Sequence, residues 1–196
     1  MKNTKIKKMV TLSLLIAIVI VLQMTAGMLP SLPGGAKLSF VLIPIVIGAA
    51  LYGPGAGALL GLVFGLLAFY YSVTGADSIG VAIFNESPIG CFLICVGKST
   101  AAGFLAGLVY RILKNRNGYM AMLCSSVVCP VINTGIFMGA VLLFFKNTSF
   151  QAEPGVYAPI VSVLSIILLL NAIPELVINI IFSPAGQRII KAVKKN

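Results

Sequence analysis

The sequence predicts an all-α membrane protein, a single bundle of six transmembrane helices over residues 1–196, with both termini cytoplasmic. Composition is the first reason: 59% of the 196 residues are hydrophobic, 9% are charged and the mean hydropathy is +1.09. That leaves too little polar surface to cover a water-soluble globule. Charge placement is the second reason. Eleven of the fourteen Lys and Arg fall in three short segments: Lys2, Lys5, Lys7 and Lys8; Arg111, Lys114 and Arg116; and Arg188, Lys191, Lys194 and Lys195. Cationic segments beside apolar spans stay on the cytoplasmic side, so both ends are placed inside and the number of crossings is even. Third, Asp77, Glu86 and Glu153 lie in the intervening loops that this topology places outside.

A crossing helix needs about 20 apolar residues at 1.5 Å each, and six segments qualify. The first covers residues 9–29 and ends at the Pro-Ser-Leu-Pro-Gly-Gly run of 30–35, which cannot remain helical. An uncleaved first helix fits better than a signal peptide, because more spans follow and the basic start is retained inside. The second, 38–52, is short and contains Pro44; only Gly53 and Pro54 separate it from the third, 55–73, so the two form a tight hairpin with a cytoplasmic turn. An outer loop, 74–87, leads to the fourth span, 88–113, which exits into the central basic loop. The fifth covers 119–145, an outer loop 146–157 follows, and the sixth covers 158–182.

Gly57, Gly61 and Gly65 recur at four-residue spacing in the third span, and Gly103 and Gly107 do so in the fourth. Helices gain no hydrophobic attraction from one another in lipid, so such strips serve close backbone approach and dispersion contact. Ser13 and Ala17 form a shorter strip in the first span, suited either to internal packing or to a partner helix.

Charged groups at membrane depth are costly and therefore candidates for function. Lys98 stands ten residues past Pro88, roughly 15 Å down its helix. Glu175 follows Pro174, and Asn171, Glu175 and Asn179 form a polar stripe at i, i+4 and i+8. Asn133 and Thr134 lie close to Pro130, which leaves the carbonyl four residues earlier without its donor. Such a cluster suits a small polar ligand; alternatively Lys98 and Glu175 neutralise each other, and the asparagines tie helices together. Lys37, Tyr70 and Tyr71 border the outer loops, where they either contact a ligand under a lid or belong to ordinary surface.

Other chemistries lack their residues. The sequence has no His, its four Cys lie in apolar segments without a Cys-x-x-Cys pair, and neither a metal site nor a cofactor is expected. The Gly-x-x-x-x-Gly-Lys-Ser/Thr phosphate loop is absent, as are hydrolase signatures, so neither ATP hydrolysis nor another enzymatic reaction is expected of this chain. The net charge of +10 sits at membrane edges, which argues against nucleic acid as a partner.

The stretch Ile43-Pro44-Ile45-Val46-Ile47-Gly48-Ala49, followed by Leu51-Tyr52-Gly53-Pro54-Gly55-Ala56-Gly57-Ala58-Leu59-Leu60-Gly61 and Gly65-Leu66, resembles the second and third helices of the substrate-binding S components of energy-coupling factor (ECF) transporters. Asn171 with Glu175 is similar to that family's last-helix pattern. The resemblance implies a bacterial cytoplasmic-membrane subunit. It would capture a vitamin, pantothenate first and riboflavin next, and pass it through a membrane coupling protein driven by two ATPases. It also implies docking through Ser13 and Ala17, where the family prefers Ala at both positions, and a binding site drawn from Lys37, Lys98, Asn133, Asn171 and Glu175. The alternative is a self-contained channel or secondary carrier.

Overall fold

The computed structural model describes residues 2–28, 40–145, 149–153, 156–159 and 171–195. Seven helices are found among them: α1 (Lys2–Met28), α2 (Leu42–Tyr52), α3 (Pro54–Thr74), α4 (Ser78–Glu86), α5 (Pro88–Leu113), α6 (Gly118–Phe144) and α7 (Ile173–Lys195). Five of these are long and apolar enough to cross a membrane. Of the six expected spans, five correspond to these long helices; the other, α2, is apolar but its 11 residues rise only about 17 Å.

Local chemistry explains the boundaries. Gly53 joins α2 to α3 at φ 90°, a left-handed conformation open to glycine, and Pro54 opens α3 at its first turn, where the missing N–H costs nothing. Gly75 ends α3 in the same left-handed region, at φ 84°. Ser87 is extended because Pro88 follows, and its hydroxyl accepts from the Gly90 amide at 3.2 Å, capping α5. Asn117 caps α6 by accepting from Tyr119 N at 3.0 Å.

Three expectations are corrected. The segment 74–87 is not simply a loop, since it forms α4, which buries Ile79 and Ile83 beside Cys91, Ile94, Val141 and Phe145. The segment 146–157 contains structure too: Ser149–Glu153 (β1) pairs antiparallel with Val156–Pro159 (β2), with an irregularity between Gln151 and Glu153. The last span therefore does not begin at Ala158, which belongs to β2. Nor does it end at Phe182, since α7 continues to Lys195.

The tightest crossing joins α3 to α5, antiparallel and in step. A side-chain carbon at Gly57 would strike the Gly103 carbonyl, one at Gly61 the Ser99 carbonyl, and one at Gly65 the Cys95 carbonyl 2.7 Å away. The expected internal role of this glycine strip is what the structure shows. Around it Leu42, Ile45, Leu60, Phe64, Ala102 and Ala106 form the main core. α1 lies to one side against α2 and α3. Its Tyr71 anchor donates from the phenol to the Gln23 carbonyl at 3.1 Å.

Both terminal helices bring their basic ends to one pole. The Lys8 ammonium lies 5.9 Å from the Tyr52 ring centre, next to the α2–α3 turn. At the other terminus, Lys191 lines a cleft with Lys114 from the end of α5.

Candidate functional site, a buried polar cluster on α5, α6 and α7

Lys98 leaves α5 on the side away from the glycine seam and places its ammonium 4.4 Å from the centre of the Phe137 ring of α6. The aromatic face offers electron density to a cation that lipid would not solvate. Phe137 stands one turn beyond Asn133, which stands one turn beyond Cys129, so α6 presents a single facing stripe. Asn133 is only 7% exposed, and its side-chain carbonyl oxygen is buried without a hydrogen-bond partner among the described residues.

On the other side of that stripe, α7 contributes Glu175, 4% exposed. Its charge acts on Cys129 of α6, and Lys98 acts on Glu175 in turn. Lys98 and Glu175 are thus in electrostatic range of each other, and Asn133 stands one turn from Cys129 on the α6 stripe. Asn171 adds a second unpaired buried amide oxygen. It lies with Ala172 in a π-type turn just before Pro174, a local widening that recurs at functional positions. An unsatisfied buried acceptor costs about 1–3 kcal/mol. Two such acceptors, one on α6 and one just before α7, are suited to a ligand that brings hydroxyl or amide donors.

Sequence-predicted residues divide accordingly. Lys98, Asn133, Asn171 and Glu175 fall on adjoining helices, whereas Lys37 lies outside the described residues. Asn179 is already engaged, since its amide donates to the Glu175 backbone carbonyl at 2.8 Å. Tyr71 is occupied in holding α1, and Tyr70 is 59% exposed, so neither faces this cluster. Ser13 and Ala17 lie on the exposed face of α1, opposite buried Leu15 and Val19.

Phe137 was not anticipated, although its i+4 relation to Asn133 was available as a signal. The α7 stripe also extends further than expected. Ser183 is fully buried, and among the described residues neither its hydroxyl nor the buried Gln187 side-chain oxygen has a partner.

The family model of the ECF transporter substrate-specific component matches residues 7–185. The chain belongs to that family. Among curated relatives, the pantothenic acid transporter PanT of Lactococcus lactis subsp. cremoris is 28% identical over 195 residues, covering 94% of each chain. The riboflavin transporter RibU of Staphylococcus aureus is 26% identical over 199 residues, covering 96% of this chain and 93% of that one. As an ECF substrate-specific component the chain is a multi-pass membrane protein of a vitamin-transporter family whose members are substrate-binding subunits rather than enzymes.

Proposed function

We propose that this S component is the high-affinity, membrane-embedded substrate-binding subunit of an ECF-type importer, with pantothenate its first candidate ligand and riboflavin its second. The observation that carries this reading is the arrangement of Lys98 on Phe137 with Glu175 and two unpaired amide oxygens. A ligand carboxylate would take the Lys98 ammonium, while ligand hydroxyl and amide hydrogens would meet Asn133, Asn171 and Glu175. Pantothenate carries all three kinds of group. Lys37 is proposed as a further partner for the ligand carboxylate.

Both termini lie in the cytoplasm and the pocket opens outward, in the bacterial cytoplasmic membrane. The exposed Ser13 and Ala17 face of α1 docks a membrane coupling protein, and two ATPases supply the energy. Small side chains on an exposed face permit close helix approach.

The test is native mass spectrometry of the purified chain, with extraction and identification of any bound molecule. A stoichiometric pantothenate supports the assignment, and a flavin moves it to the second candidate. An empty protein that shows no thermal shift with either vitamin overturns both. A self-contained carrier draws on the α7 polar stripe, which runs from Asn171 to Gln187, about 24 Å along the helix. Uptake in vesicles holding this chain alone would establish that alternative.

A further inference from the structure

The basic pole carries two clefts that substrate capture does not use. One, of about 430 Å³, is bounded by Gly53 and Pro54 at the α2–α3 turn and by Tyr110, Arg111 and Lys114 at the end of α5. The other, of about 400 Å³, lies between α5, α6 and α7 and is lined by Lys114, Asn115, Gly118, Gln187 and Lys191 above buried Ile190. Tyr110, itself 4% exposed, and Lys114 are common to both.

Three features separate these clefts from charge that merely orients a helix. The cations come from different helices, Lys114 from the end of α5 and Lys191 from α7, and line one open cleft together. No acid lines either cleft among the described residues, so the positive field is uncompensated. Large apolar side chains flank the same helix ends in the open: Ile112, Tyr119, Met120, Ile189 and Val193 are 41–65% exposed. The N-terminus of α6 at Gly118 adds partial charge of the same sign. A ligand that satisfies all of this is an anion with an attached apolar body.

We infer that the paired clefts around Tyr110 hold the phosphate of an anionic phospholipid, whose acyl chains lie along the apolar flank. The bilayer leaflet follows from the topology proposed above, but the binding chemistry does not depend on which vitamin the chain carries. Lys114 lines both clefts and is the common phosphate partner, with Arg111 beside it in one cleft and Lys191 in the other.

Native mass spectrometry of the full chain in detergent, with phosphatidylglycerol or phosphatidylcholine added, tests this directly. Retention of one phosphatidylglycerol over phosphatidylcholine is expected. The Lys114→Gln, Lys191→Gln double variant should weaken it roughly thirty-fold, at roughly 1 kcal/mol for each cation near an anionic surface. A charge-matched control, Lys5→Gln with Arg116→Gln, should retain the lipid as the natural sequence does. Equal loss in both variants, or no preference between the lipids, overturns the proposal by reducing it to diffuse surface charge. Inorganic phosphate provides the remaining arm. If it protects the chain against thermal unfolding through Lys114 while phosphatidylglycerol does not, the clefts take a free phosphate and the lipid assignment fails. Should the double variant misfold, Lys191→Gln alone is read in the same way.

Discussion

The two sides of α5 are built on opposite principles. Toward α3 it presents Cys95, Ser99 and Gly103 to a glycine strip, backbone against backbone, and the Ser99 hydroxyl is satisfied within its own helix at 3.0 Å from the Cys95 carbonyl. Toward α6 it presents Lys98 to the ring of Phe137, one turn from Asn133, whose buried amide oxygen has no partner among the described residues. One face is saturated and close; the other is charged and incomplete. A membrane protein can spend stability on an unsatisfied site only where another interface holds the bundle together, and here one helix does both.

That contrast is open to attack from either side. The largest effect is expected at the seam: Gly61→Leu drives a side chain into the Ser99 carbonyl, where backbone cannot yield, and should cost about 3 kcal/mol or more. Thermal unfolding should show a large fall in stability, with ligand retention lost as a consequence. A mild effect there would mean that the two helices can slide apart and that the seam is not the stabilising interface. Lys98→Met should weaken an anionic ligand by about 2–5 kcal/mol, read by titration calorimetry. Unchanged affinity would make Lys98 a packing residue on Phe137.

Asn133→Leu sharpens the same distinction at smaller scale. Removing an unpaired buried amide should hold or slightly raise stability, while losing about 1–2 kcal/mol of ligand binding. If stability instead falls sharply, the side chain is structural. The smallest effect on the isolated protein is expected for Ser13→Trp with Ala17→Trp, since both positions already face outward. Unfolding and ligand binding should stay as they are, whereas uptake by the assembled transporter should stop; undiminished uptake removes α1 as the docking face.

Much of the seam was legible in sequence because its information is local. Glycine at four-residue spacing and Gly-Pro or Ser-Pro junctions act through backbone geometry, and they set the α2–α3 turn, the start of α5 and the α3–α5 register. The polar cluster was legible only by residue type. Lys98, Asn133, Asn171 and Glu175 stand out in an apolar background, but the choice of Phe137 as the ammonium's partner depends on how α5 and α6 are rotated against each other. The segment 74–87 hid α4 because nine residues with a glycine among them give a weak periodic signal, and burial of Ile79 and Ile83 against α5 and α6 decides the matter. The paired strands at 149–159 were missed for a similar reason: nothing local distinguishes them from a polar connection.

The glycine seam has a mechanical meaning as well. An interface made of backbone has no rotamers to change, so it cannot absorb displacement by gradual repacking. α1 packs on α3, and only 17% of its apolar stretch is buried, against 39% in α3 and α5. Were a partner to pull on that outer helix, as the proposed docking requires, the displacement would pass through α3 into α5 with little slack.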